Sequence, residues 1–511
     1  MRALRLLPVL ALLCVSLLLT TSPTAAVLGC TFQVTFYPAT IIMTTPGTQN
    51  GTAGPDVIRG TTGADTINGL GGDDIICSRG GADVINGGDG DDLLRGDTNN
   101  DVIRGGIGGD VLLGDQGNDR LDGEAGNDTV RGDEGSDHVV GGVGNDGVFG
   151  DIGNDRLYGQ DGDDEMRGGD GDPGADYISG GSGADDILGG AGDDVIHTGS
   201  GINQVQGNEG DDDITGGAEG DQLYGDADND IIRGMGGVDF ISGGSDDDRL
   251  DAGDGDDRIH GDAGNDTLIG GLGADALYGE HNGADLPDGN NTLYGQDGSD
   301  TLRGASGIDK ISGGAGDDFI SGFSGPDLID AGAGHDNVDA GNGNDQVNGA
   351  SGNDIVQGED GHDVITGSTG NDNLSGNNGD DLIDGGSGND SLYGLAGNDL
   401  ITGDIGIDSI VGGEGNDRLY GEDGDDVIDG GEGDDLISGG IGADKLYGFT
   451  GIDHMTGGDG DDLMQGEAGD DRLYGQAGAD YLSGGPNADY CSGSSGTDTA
   501  DSTCETQSSI P

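Results

Sequence analysis

Residues 412–438 read GGEGNDRLY, GEDGDDVID and GGEGDDLIS, three copies of a nine-residue unit with nothing between them. Numbered one to nine, the unit has Gly at position 1, Gly at position 4 (Gly415, Gly424, Gly433), Asp at position 6 (Asp417, Asp426, Asp435) and a branched aliphatic at position 8 (Leu419, Ile428, Ile437). Glycine lets the backbone take positive φ and turn tightly. The Asp carboxylate is a hard oxygen ligand. A lone aliphatic between two variable residues marks a very short strand with one inward side chain. One unit therefore reads as a turn plus a strand.

Followed in both directions, the phase holds over almost the whole chain. Residues 51–167 make thirteen units, 180–278 eleven and 295–501 twenty-three. Two odd units join these blocks: 168–179 (GGDGDPGADYIS), three residues too long, and 279–294 (GEHNGADLPDGNNTLY), seven too long. Of the forty-nine units, all but two have Asp at position 6, and Asn203 and Asn291 stand in those two. Position 8 is Ile, Leu, Val or Met until the last two units, which carry Cys491 and Ala500. Pro173 and Pro287 fall in the long units, and proline cannot donate to an interior ladder, so both units read as loops extruded from a coil.

Composition excludes several function classes. With 118 Gly in 511 residues, no Trp and 31% hydrophobic residues, an ordinary globular core is not expected. A formal charge of -83 excludes nucleic acid as a partner and leaves disorder, a cationic partner or bound metal cations. An aliphatic kept in phase with an Asp over hundreds of residues argues against disorder. Burying one aliphatic per nine residues does not offset the entropy of ordering them, so apolar packing alone cannot fold the array.

The ends differ from the middle. Met1 to Ala26 has Arg2 and Arg5, an apolar run from Leu6 to Leu19 and a TTSPTAA segment, the pattern of a secretory signal peptide cleaved after Ala26. The run is too short for a membrane span of about twenty residues. Val27-Leu28-Gly29-Cys30 resembles a lipoprotein cleavage box, but lipid on Cys30 would leave an odd thiol count. Residues 27–50, with clustered β-branched and aromatic residues, read as a strand-rich cap over the first coil, and 502–511 as a tail. Without Cys14, four cysteines remain near the array's ends, which suits disulfides in an oxidising compartment. Cys491 is expected to bond Cys504, and Cys77 a cap carrying Cys30.

The unit GGxGxDxUx resembles the nonapeptide of the RTX, or haemolysin-type, calcium-binding repeats, from Gly51 to about Asp501. The resemblance implies an all-β fold, a parallel β-roll (a right-handed β-solenoid) with two units per coil and short terminal caps. It also implies multiple calcium ions held between successive turns by position-6 carboxylates and backbone carbonyls. Carried over residue by residue, the ligands of the first block would be Asp56, Asp65, Asp74, Asp83, Asp92, Asp101, Asp110, Asp119, Asp128, Asp137, Asp146, Asp155 and Asp164. Asp176 follows in the first long unit, then Asp185, Asp194, Asp212, Asp221, Asp230, Asp239, Asp248, Asp257, Asp266 and Asp275. The third block would supply Asp300, Asp309, Asp318, Asp327, Asp336, Asp345, Asp354, Asp363, Asp372, Asp381, Asp390 and Asp399. It continues through Asp408, Asp417, Asp426, Asp435, Asp444, Asp453, Asp462, Asp471, Asp480, Asp489 and Asp498. Asp417 would work with Asp435, two units on, and Asn203 should make a weaker site. Removing Arg2 and Arg5 takes the charge from -83 to -85, and one divalent ion per position-6 Asp would add roughly +94. Some twenty-four coils about 4.8 Å apart make a rod on the order of 115 Å.

No catalytic constellation stands off the repeat. His138, His197, His260, His281, His335, His362 and His454 are scattered without HExxH spacing and read as solvated surface. No Walker lysine accompanies the glycines, and carboxylate pairs are too common for any to be singled out. Tyr393, Tyr420, Tyr447 and Tyr474 recur every third unit and should alternate between opposite faces. The expectation is a secreted, extracellular or cell-surface calcium-binding scaffold, not an enzyme, with no integral membrane span and no accompanying toxin or protease domain. The alternative is a calcium-dependent adhesin or glycan-binding module whose partner is a cell-surface or matrix polysaccharide.

Overall fold

A computed structural model describes residues 40–279, 289–504 and 506–508. Among them the regular elements are 53 strands and no helix, and every strand pair is parallel. Up to Tyr490–Ser492, consecutive strands alternate between two sheets, one of which has 26 strands. Each coil of two units thus adds one strand to each sheet, and about twenty-five turns stack into a β-roll. Partners sit 18 residues apart: Ile410 opposite Ile428 in one sheet, Leu419 opposite Ile437 in the other. Position 8 points inward in each case, and the two aliphatic columns form one continuous core in which Ile410, Leu419, Ile428 and Ile437 are fully buried.

The strands are longer than a single aliphatic suggests. Arg418–Asp423 runs from position 7 of one unit to position 3 of the next. Its ladder pairs Tyr420 with Ser438 and resumes at Glu422 with Gly440, skipping the glycine between. There the chain bends, and position 2 takes a left-handed conformation, as at Glu422 (φ 73°) and Gly413 (φ 117°). Position 4 is left-handed too: Gly415 has φ 142°, and a Cβ there would lie 1.4 Å from the Gly397 carbonyl oxygen. Position 1 corrects the expectation from sequence, because its φ is not left-handed. Glycine is needed there for close approach, since a Cβ on Gly412 would lie 2.4 Å from Asp417 Oδ2 and 2.5 Å from Gly430 O.

The first long unit is also different from expectation. Its three extra residues are not a loop outside the sheet but a bulge within the strand Glu165–Pro173, where register passes from Gly169 opposite Gly190 to Pro173 opposite Ala191. A bulged strand end leaves the missing proline N–H without cost to the ladder. Across the second long unit the sheets re-pair at a separation of 25, Leu268 with Leu293 and Leu277 with Leu302. Pro287 lies outside the described residues.

At the start, Thr40–Ile42 and Thr48–Asn50 extend the two sheets, and Ile41 and Met43 pack against the core. At the end, Cys491 is bonded to buried Cys504 with Cα atoms 5.8 Å apart, and Thr506–Ser508 pairs with Tyr490–Ser492. The leader and Cys30, the predicted partner of Cys77, lie outside the described residues. Among the described residues no helix is long and apolar enough to cross a membrane.

Candidate metal centre

Position 6 stands two residues before the inward aliphatic, and side chains alternate along extended backbone, so its carboxylate faces inward as well. Asp399, Asp417, Asp426 and Asp435 are each no more than 2% exposed. Their two oxygens are used differently. Oδ1 accepts from the backbone N–H of the Asp one turn earlier: Asp399 N–H to Asp417 at 2.8 Å, Asp417 N–H to Asp435 at 2.9 Å, Asp426 N–H to Asp444 at 2.9 Å. Asp417 and Asp435, expected to share ions, are adjacent along the edge and are joined in this structure by a hydrogen bond from the Asp417 N–H. Oδ2 of Asp399, Asp417, Asp426 and Asp435 is buried with no hydrogen-bond partner.

What Oδ2 faces is another acceptor. Asp417 Oδ2 and the Gly430 carbonyl oxygen both lie within 2.5 Å of the point a Cβ on Gly412 would occupy; Asp426 Oδ2 and Gly439 O stand the same way beside Gly421. Two buried oxygens turned on one small space need something electropositive between them, a proton or a cation. Burial favours the proton in the absence of metal. It pushes Asp435 up to about 6, Asp399 to about 7 and Asp101 to about 8, against the opposing backbone N–H bond. Among the described residues no three His, Cys, Asp or Glu side chains converge, and the oxygens that meet beside Gly412 and Gly421 are one carboxylate and one carbonyl each. Hard oxygens in a flexible, mostly main-chain cradle fit calcium, whereas magnesium demands stricter octahedral geometry.

The edges are not uniform. Oδ2 of Asp56 accepts from Thr52 N–H at 2.5 Å, that of Asp65 from Thr61 N–H at 2.7 Å and Thr61 Oγ1 at 3.0 Å, and that of Asp221 from Gly217 N–H at 2.8 Å. These three carboxylates, equal to the rest in sequence, have a satisfied Oδ2, and at Asp56 it is Oδ1 that is buried without a hydrogen-bond partner. Position 1 carries a side chain in five units, at Ser78, Thr198, Ala252, Ala331 and Ala340, placing a Cβ where the other turns are open. Ser78 Oγ donates to Gly96 O at 2.9 Å.

A second row was not foreseen from the sequence. At position 5, Asn398 N–H donates to Asp380 Oδ1 at 2.8 Å, Asn416 N–H to Asn398 Oδ1 at 3.0 Å and Asp434 N–H to Asn416 Oδ1 at 2.8 Å, all exposed. The frequency of Asn and Asp at position 5 was its signal. The histidine reading needs one correction: His260 is buried, stacked on Tyr278 at 4.8 Å and accepting from Arg258 Nε at 2.8 Å. On the other sheet His138, Tyr158, Tyr177 and His197 form a run of rings 5.1, 5.8 and 5.6 Å apart. Tyr393 and Tyr447 lie in one sheet, Tyr420 and Tyr474 in the other, the alternation expected of a two-unit coil.

Set beside known families, the chain matches the model of the RTX calcium-binding nonapeptide repeat (4 copies) in sixteen adjoining or overlapping segments that together cover residues 50–277 and 288–500. No curated protein matches it.

Proposed function

The chain belongs to the RTX calcium-binding nonapeptide repeat family, and from that premise we propose that it is a secreted scaffold whose roll is held together by calcium ions bound at many turns. One observation carries this reading: the unpartnered, buried Oδ2 of residues such as Asp417 and Asp426, set against the Gly430 and Gly439 carbonyl oxygens. At pH 7 such a turn holds either a strained proton or a cation, and the formal charge of -83 favours the cation throughout. The position-6 aspartates are the proposed ligands, most directly those whose Oδ2 has no protein donor. Metal binding and folding are then one event. The role is mechanical: a stiff extracellular spacer, with no catalytic step assigned to any residue. The rings of Tyr158, Tyr177 and Tyr278 turn toward rings on adjacent turns, which favours a stapling role over a sugar-binding platform.

The test is circular dichroism with hydrodynamic radius, in chelator and through a calcium titration. An expanded, weakly structured chain that becomes compact and β-rich in calcium, and responds far less to magnesium, is the expected result. A compact β spectrum unchanged in excess chelator at neutral pH would sink the proposal.

A further inference from the structure

Two turns do not fit a cation. Asn291 is 1% exposed, and its Oδ1 accepts from Asp266 N–H at 2.9 Å, as an Asp Oδ1 does in the other turns. Its Nδ2 occupies the place of the carboxylate Oδ2 and donates to Gly304 O at 3.3 Å, the two atoms lying within 2.5 Å of the Cβ point of Gly279. Where Asp417 sets oxygen against oxygen, Asn291 sets donor against acceptor. The amide brings its own proton and no charge, so nothing is left for a metal to neutralise.

Asn203 is closed in a related way. Its Oδ1 accepts from Asp185 N–H at 2.9 Å and its Nδ2 donates to Gly201 O at 3.0 Å. Position 1 of the same unit is Thr198, fully buried, so a side chain fills the space that glycine leaves open elsewhere. The next turn on that edge is Asp221, whose Oδ2 accepts from Gly217 N–H. The strand after Asn203, Gln204–Glu209, belongs to one sheet and the strand after Asn291, Thr292–Asp297, to the other, so each edge has one such turn.

We propose that Asn291 and Asn203 are cation-free latches in which a side-chain amide replaces carboxylate and calcium together. This rests on the reading that calcium bridges the aspartate turns. Each edge then carries one amide turn with no carboxylate for a cation to neutralise, and the row of metal sites is interrupted at that turn.

Hydrogen exchange of the full chain through a calcium titration tests it, following peptides around Asn291 and Asp300, with the reciprocal variants Asn291→Asp and Asp300→Asn. Asp300 is a suitable reference because its Oδ2 is unpartnered and shares the space beside Gly295 with Gly313 O. In the wild type the Asn291 turn should become protected at lower calcium than the Asp300 turn. Asn291→Asp should raise its midpoint to that of the Asp300 turn, with protection at sub-saturating calcium lowered about tenfold, as expected for one buried group left unpaired. Asp300→Asn should move the other way. Equal midpoints for wild type and Asn291→Asp overturn the latch. A chain whose peptides show no calcium response anywhere overturns the calcium reading instead.

Discussion

Position 6 gives its two oxygens separate tasks: Oδ1 fastens the preceding turn and Oδ2 creates a demand that the protein itself leaves unmet. The first was not legible in the sequence, because it depends on a backbone N–H 18 residues away, whereas an aspartate kept in phase with an aliphatic did point to a carboxylate with a fixed task in every turn. The same geometry predicts how pH acts on the metal-free chain. A carboxyl that holds its proton more tightly folded than unfolded favours folding where it is protonated. Its contribution is complete below the ordinary unfolded value of 3.8 and is lost as pH rises through about 6 at Asp435 and about 7 at Asp399. In chelator, therefore, β structure should be present near pH 4 and disappear toward pH 7.5, and the calcium midpoint should rise as pH falls because protons compete for Oδ2. Circular dichroism across pH in chelator measures this; greater metal-free β content at pH 7.5 than at pH 4 would contradict it.

At the scale of the element, the turn-plus-strand unit was readable, but its bounds were not. Positions 4 and 8 were assigned their roles correctly, since positive φ and inward burial follow from residue type. Position 1 was not, since its glycine is required by Oδ2 and by a carbonyl of the following turn, neither of which is a neighbour in sequence. Pro173 was likewise read as a loop residue, although a bulged strand end accepts it. The last turns close differently from the middle, by the Cys491–Cys504 bond with its sequence separation of 13. Cys504→Ser should cost the end of the roll about 2–4 kcal/mol, read as faster hydrogen exchange over residues 481–500 in saturating calcium. Turns near Ile410 should be unaffected, because each coil contacts only its neighbours. Uniform destabilisation of the whole array would refute that independence.

For the whole molecule, a sheet of 26 parallel strands spaced about 4.8 Å apart is on the order of 120 Å long. Small-angle scattering in calcium should give a rod of that length, and in chelator at neutral pH a broader, coil-like distribution; a compact globule in calcium would be incompatible with stacked coils. The sequence by itself determined the repeat, the turn-plus-strand unit, the inward aliphatic column and the insufficiency of apolar packing, because one aliphatic in nine residues buries little, while the parallel roll came from the resemblance of GGxGxDxUx to the RTX nonapeptide. Only the tertiary structure decided which turns leave a buried oxygen without a protein donor. Oδ2 of Asp65 and Asp221 finds a backbone donor, Asn203 and Asn291 bring their own, and Oδ2 of Asp417 or Asp426 finds none. The reason is physical: whether a buried oxygen is satisfied depends on the atoms one turn away along the rod and on the local path of the backbone, and a repeat that looks the same in every unit does not record either.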